Sequence, residues 1–407
     1  MAEAKSSSKN LWLIIFLLVV VAVQIMWTPQ TAVAIFTMAA LAYLQNITFS
    51  LTSRARTRNH APYHFIASVS ASLVWFLTFR TLVLAKMSIE LAIPYTCFTV
   101  LGSLTGAQLS MWIERHIGAF ADEDTMSKDE RALLEQRRIE ERKRHWYTRV
   151  WYSGEGKVKT SPFFCIFGTL SAVQMIFASL PLGWTLMLLL AAGFVRDMSY
   201  GMRTWVQNRN NQSLLLVVNI FSAGAEFFAW GGLFNMEMPW ALFLPYTAVS
   251  TGGSLFGTFV ASWAGKKLGA SADAHVKKGE MPKFSRIPYY ILGLVMAVQL
   301  LFFNPYGIYF VLLVIAGSFM RSVAYAMVSR SRNRNHMGYH YVSSLLSNGL
   351  YFVTLYWFVL KNLDPVLSIP FVSASIIGGL LAVEVAMHVE KRIGAVADAH
   401  ALKPQKA

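Results

Sequence analysis

The chain repeats one pattern three times, and that constrains its fold more than any local motif. Pro94-Tyr95, Pro245-Tyr246 and Pro370-Phe371 anchor the copies. An offset of 276 residues carries the first copy onto the third, and 125 carries the second onto the third. Arg58-Asn59, Arg209-Asn210 and Arg334-Asn335 then align without gaps, and so do Gly102, Gly253 and Gly378. Ile117-Gly118, Leu268-Gly269 and Ile393-Gly394 follow the same offsets. The Ala-Val-Gln triplets ending at Gln24, Gln174 and Gln299 align with one residue of slippage in the first copy. Self-similarity at such a long period means that one structural unit is built three times.

Each copy holds four apolar segments, here named A to D. They fall at about 11–27, 30–52, 63–85 and 90–113, at about 162–180, 182–202, 212–235 and 239–264, and at about 286–303, 306–328, 338–361 and 366–389. At 1.5 Å per residue each can cross about 30 Å of hydrocarbon. Composition agrees: 14% of residues are charged and 55% hydrophobic, where soluble domains carry about 25% charged residues. The expected fold is an all-α polytopic membrane protein. It has twelve transmembrane helices, arranged as three parallel four-helix repeats with pseudo-threefold symmetry, because an even number of spans per copy keeps the copies parallel. The divisions expected are a first membrane repeat at 1–118, a charged helical linker at 119–160, a second repeat at 161–275, and a third repeat with a short tail at 276–407.

The first apolar run imitates a secretory signal, but its VAVQIMWTP has interior counterparts in SAVQMIFASLP and MAVQLLFFNP. It reads as the first helix of a repeat instead. The two cysteines, Cys97 and Cys165, sit in apolar runs and form no metal or redox motif. Net charge is +15, and Lys and Arg concentrate in the termini, the B–C loops and the links between copies, while the A–B turns carry no charge. The positive-inside rule puts the basic face and both termini in the cytoplasm, against anionic lipid, and the membrane expected is a bacterial inner membrane, in keeping with the resemblance described below. The stretch DERALLEQRRIEERKRHW within 119–160 reads as a solvated helix, with a protein partner docked there as the alternative. The expected state is a monomer acting as a pseudo-trimer, with no cofactor and no nucleic-acid partner.

SRARTRNHAPYH at 53–64 and SRSRNRNHMGYH at 329–340 are identical at eight of twelve positions. The plain reading is a topogenic loop facing lipid headgroups. The sharper one is a phosphate or headgroup site of Arg54, Arg56, Arg58 and His64, matched by Arg330, Arg332, Arg334 and His340, because guanidinium forks suit phosphate oxygens. His60 and His64, like His336 and His340, are four residues apart, yet no Cys or carboxylate is near, so no metal site is expected. The middle copy keeps only Arg209-Asn210, with Trp205 and Gln207 at the other arginine positions.

Polar groups inside spans cost a few kcal/mol unless paired or hydrated. The candidates for an intramembrane pathway are Glu226, Arg196, Arg321, Asp197, Asn219, Asn348 and Glu384. Arg196 and Asp197 are adjacent and point in different directions on a helix, so each is expected to find a partner elsewhere. Glu226 is expected to pair with one of the arginines. Gly102-xxx-Gly106, Gly253-xxx-Gly257 and Gly378-xxx-Ala382 are small-residue rows that let helices approach closely. They suggest that helix D lines the centre.

The stretch SRSRNRNHMGYHYVSSLLSNGLYF and its partner SRARTRNHAPYHFIASVSASLVWF resemble small membrane proteins of tailed bacteriophages. Asn348 fits that pattern, Ser72 departs from it, and the middle copy departs almost throughout. The resemblance implies a phage origin and a fused form of a protein that otherwise oligomerises; it transfers no activity. The function expected is a channel or facilitator for a small solute or ion, an anion among the candidates, along the axis or between repeats. The alternative is a structural or host-modifying phage protein that binds lipid or a partner through its basic face. No HExxH, GxSxG or paired catalytic carboxylates occur, so an enzyme is not expected.

Overall fold

The computed structural model describes residues 32–58, 60–85, 88–117, 184–207, 212–236, 238–267, 286–302, 306–334, 336–361 and 364–395, with isolated residues elsewhere. They form ten long helices, and among the described residues there is no strand. In chain order these are α1 (Ala32–Ala55), α2 (Ala61–Leu84), α3 (Ala92–Ile117), α4 (Trp184–Val206), α5 (Gln212–Asn235), α6 (Phe243–Lys267), α7 (Ile287–Phe302), α8 (Ile308–Ser331), α9 (Met337–Leu360) and α10 (Ser368–Ile393). Helices α1, α4 and α8 are the B segments, α2, α5 and α9 the C segments, and α3, α6 and α10 the D segments; α7 is the third A segment. The spans expected at 11–27 and 162–180, and nearly all of the link 119–160, lie outside the described residues.

Seven helices (α1, α2, α3, α5, α8, α9 and α10) are long and apolar enough to cross a membrane. In hydrocarbon every backbone polar group must be satisfied within the segment, which long apolar stretches achieve only as helices. Helices α4 and α6 are of similar length, 23 and 25 residues.

The helix ends follow from the residues there. His60 and His336 are the N-caps of α2 and α9: each ring Nδ1 accepts from a backbone N–H, that of Tyr63 at 3.2 Å and that of Tyr339 at 3.0 Å. Two of the histidines spaced four apart thus hold orphan helix donors. A short 3-10 turn precedes each of α3, α6 and α10. Pro94, Pro245 and Pro370 then fall in the first helical turn, where a missing N–H costs nothing. Helix α10 ends at Gly394, whose φ of 68° is the left-handed conformation that glycine adopts without strain. Gly118 and Gly269 lie outside the described residues.

Within each copy the B and D helices pack most extensively: α1 on α3, α4 on α6 and α8 on α10. Glycine makes this possible. A Cβ built on Gly378 would lie 2.5 Å from the Phe319 carbonyl oxygen, and one on Gly102, Gly253 or Gly257 would collide with the backbone of Tyr43, Phe194 or Met198. Gly106 meets Ile47 and Ser50 in the same way. The small-residue rows are therefore packing surfaces between D and B. Each C helix bridges to a D helix of another copy: α2 packs on α6, α5 on α10 and α9 on α3, which closes a ring of contacts. Helix α7 packs on α10.

Polarity divides the bundle along its length. The end where C turns into D is filled by a buried cluster that includes Phe76, Phe79, Trp75, Tyr95, Trp230, Phe227, Phe352, Phe358 and Phe371. Phe358 and Phe371 meet edge to face at 5.0 Å, and Trp75 stacks on Phe79 at 4.9 Å. The other end, where B turns into C, is polar.

Candidate functional site

Two populations of arginine occupy the polar end. The first is paired. Arg54 meets Glu114 through Nε (3.0 Å) and Nη2 (2.8 Å), and Arg58 meets the same carboxylate at 3.1 and 3.0 Å. Arg54 Nη1 also donates to the Arg332 carbonyl at 2.6 Å. The arrangement recurs 276 residues later. Arg330 grips Glu390 at 3.0 and 2.8 Å, Arg334 Nε reaches it at 3.1 Å, and Arg330 Nη1 donates to the Gln207 carbonyl at 2.7 Å. Arg54, Arg58, Arg330 and Arg334 are all buried. The reading of these tracts as lipid-facing loops is therefore corrected: four of their arginines are internal clamps that tie the end of a B helix to the end of a D helix, and two of them, Arg54 and Arg330, reach across to another copy. Glu114 and Glu390 were not singled out by sequence reading, although each sits at the same offset as its arginines.

His64 and His340 are buried too. His64 Nε2 meets Ser254 Oγ at 3.1 Å, and His340 Nε2 meets Ser103 Oγ at 3.1 Å while its Nδ1 meets Ser331 Oγ at 2.9 Å. Both join a C helix to the D helix of another copy, so they too are internal contacts and face no headgroup.

The second population lines a cavity of about 120 Å³, with room for several waters. Its walls come mainly from the B and C helices; the D helices contribute only Tyr95, Ser250 and Ser254. The expectation that helix D lines the centre is thus corrected, because its glycines are spent on close packing behind helix B. Five arginines (Arg56, Arg196, Arg203, Arg321, Arg332) and two carboxylates (Asp197, Glu226) line the cavity, an excess of three positive charges.

The carboxylates are already taken. Arg321 holds Glu226 through two bonds of 2.8 Å, as expected for one of the arginines. Arg196 holds the neighbouring Asp197 at 3.2 and 2.6 Å, and Asp197 also accepts from Ser250 Oγ at 2.8 Å. Adjacent helical residues do face apart, but the long guanidinium stem folds back over one residue, which corrects the expectation of separate partners. Both pairs border the aromatic end: Arg196 lies 4.4 Å over Trp75, and Arg321 lies 5.1 Å from both Trp230 and Phe371. Such stacking offsets part of the cost of burying the charge.

Arg56, Arg203 and Arg332 have no carboxylate among the described residues. Arg56 donates to Ser254 Oγ (3.1 and 3.0 Å) and Thr204 Oγ1 (3.2 Å). Arg203 Nε and Nη2 and Arg332 Nε have no hydrogen-bond partner at all. Arg203 is 2% exposed and Arg332 7%. Arg203 lies 4.8 Å over the Tyr325 ring. Burial pushes the Arg332 guanidinium down to about 10, and the Arg56 charge pushes it the same way. Burial also lowers Arg56.

The remaining candidates separate. Asn348 lines the cavity and donates to Ser344 O at 2.8 Å. Asn219 is buried outside it with both amide atoms unpartnered, in a space left by Gly379. Glu384 accepts from Tyr289 Oη on α7 at 3.3 Å, so it belongs to a peripheral helix contact and not to a central pathway. Arg203 escaped sequence reading, although it stands one turn before Gln207 in the copy that has lost the tract arginine.

Apolar length, internal satisfaction of the backbone and a core of buried polar groups together define a polytopic integral membrane protein. No protein-family model, curated protein or solved structure matches the chain.

Proposed function

We propose that this protein binds a small anion inside the bundle and carries it across the membrane. The observation that supports this is the cavity's excess of three positive charges, borne by arginines with no carboxylate partner among the described residues. A buried unpaired guanidinium costs several kcal/mol, so three together are a poor device for holding a fold and a good one for holding an anion.

The architecture we favour for it is twelve spans in three parallel copies about a pseudo-threefold axis, with the basic end cytoplasmic. The cyclic contacts of α2 on α6, α5 on α10 and α9 on α3 support this arrangement. The aromatic filling of the opposite end argues for a carrier or gated facilitator over a permanently open channel. The alternative, a structural phage protein that docks headgroups on a basic face, loses its main motive once the tract arginines are buried.

Flux of radiolabelled or dye-reported anions and cations into liposomes tests the proposal. Wild type should pass an anion, and Arg332→Gln should lower the rate at least tenfold while folded protein stays in the membrane. Cation flux, or no flux of any ion from well-folded protein, sinks it.

A further inference from the structure

We infer that the cavity end nearest the B–C loops is a built site for a small dianionic oxyanion of the sulfate or hydrogenphosphate class, held by Arg56, Arg203 and Arg332. The inference rests on the anion reading above and adds the ligand class.

The three side chains line one cavity. Arg56 and Arg332 follow directly on the ends of α1 and α8, and Arg203 lies in the last turn of α4. Tyr325 is within electrostatic reach of all three guanidiniums, and Arg56 is within reach of Arg332. The surrounding groups are hydroxyls: Ser254 and Thr204 already touch Arg56, and Ser68 Oγ lies 3.3 Å from Ser254 Oγ. The two cavity carboxylates are bonded to Arg196 and Arg321; Asp197 attracts Arg56 and Glu226 attracts Arg203 from a distance, but among the described residues neither forms an ion pair with them.

Valence and geometry follow from that composition. A halide would cancel one of three charges and could not use the planar two-donor fork of a guanidinium. An oxyanion accepts two parallel N–H bonds from each arginine it meets, and a dianion leaves a single positive charge in excess. Unpartnered Nε and Nη2 atoms of Arg203 and Nε of Arg332 are donors waiting for such an acceptor. Each copy also contributes one arginine to this end of the cavity. Position 56 of the first copy and 332 of the third are arginine, whereas the second copy has Gln207 there and carries Arg203 one turn earlier on the same helix. Gln207 itself is buried with both amide atoms unpartnered.

The full-length protein in phosphatidylcholine nanodiscs gives the test, by thermal unfolding against sulfate, inorganic phosphate and chloride at matched ionic strength. Sulfate and phosphate should raise the midpoint saturably and chloride should not. Arg332→Gln and Arg203→Gln should each weaken sulfate binding about ten- to a hundredfold, yet unfold at a higher temperature than wild type without sulfate, because an unpaired buried charge is gone. Arg80→Gln, at the opposite end of α2, should keep the wild-type response. Chloride acting as well as sulfate overturns the ligand class and leaves the anion reading standing. No shift with any anion overturns both. A sulfate shift that survives both arginine variants overturns the site. Discs containing phosphatidate separate the sources: stabilisation by that lipid through the same two arginines, with free sulfate inert, keeps the oxyanion class, assigns it to a headgroup, and removes the case for transport.

Discussion

The first and third copies close their B–C ends with the same device, and the second copy keeps only one of its three residues in sequence. In the first, Arg54 and Arg58 share Glu114; in the third, Arg330 and Arg334 share Glu390. The aligned positions in the second copy are Trp205, Arg209 and Gly265. One arginine and the glutamate that it grips are replaced together, while Arg209 is kept. The C–D contacts between copies show the same behaviour: His64 with Ser254 and His340 with Ser103 become Leu215 with Gly379 at the third contact. Charges and polar groups buried for structure come and go as sets, because a partner left alone costs more than the pair contributes. Arg56, Arg203 and Arg332 depart from that rule, since among the described residues none of them pairs with a carboxylate, and the proposed anion site rests on that departure.

The comparison breaks most violently at the shared carboxylate. Glu390→Gln leaves Arg330 and Arg334 buried with one neutral acceptor, and the protein should lose about 3–5 kcal/mol. The loss should appear as a collapse of the unfolding midpoint in detergent, or as aggregated protein on size exclusion. An unchanged midpoint would mean that these clusters are not closed to water.

Rebuilding the device in the second copy should give a smaller and more diagnostic effect. Trp205→Arg alone inserts an unpaired charge and should destabilise. Adding Gly265→Glu should recover part of that loss, with a favourable coupling of about 0.5–3 kcal/mol in a double-mutant cycle. Additive effects would mean that the copies do not share a register at this corner. At the histidine contacts, His340→Leu should cost about 1–3 kcal/mol because Ser103 and Ser331 lose a partner, and Ser103→Gly on top of it should cost less than it does in wild type.

How much of this was legible in the sequence depends on the distance over which each signal acts. Helix positions and ends were readable, because apolar length, Pro94, Pro245, Pro370 and Gly394 act locally; the B, C and D segments expected from the sequence overlie the helices found. Glu226 could be singled out as an intramembrane charge. The burial of the basic tract could not be read from the tract alone, because its carboxylates lie 56 and 60 residues away. It was present in the joint pattern of Arg54 and Glu114 against Trp205 and Gly265, which only a comparison across all three copies exposes. The inward role of helix B was hidden for another reason: the glycines of helix D signal close approach but not which side of the helix is approached.

The gentlest way to separate the two arginine populations is pH. Arg332 lies beyond the end of α8, and burial holds it at about 10 against an ordinary 12.5. Between those values the unfolded chain binds more protons than the folded one, so stability should rise with pH across that window. Below about pH 10 both states carry the proton, and the full cost of burying it is present. The contribution from pH 9 to 10.5 is under about 1 kcal/mol, so it is best read as the difference between wild type and Arg332→Met, in which other titrations cancel. Wild type should gain on Arg332→Met over that range in sulfate-free buffer. With saturating sulfate the gain should shrink or reverse, because a bound dianion favours the charged guanidinium and raises its pKa. A difference that is flat with pH in both buffers would place Arg332 with the paired arginines and erase the distinction.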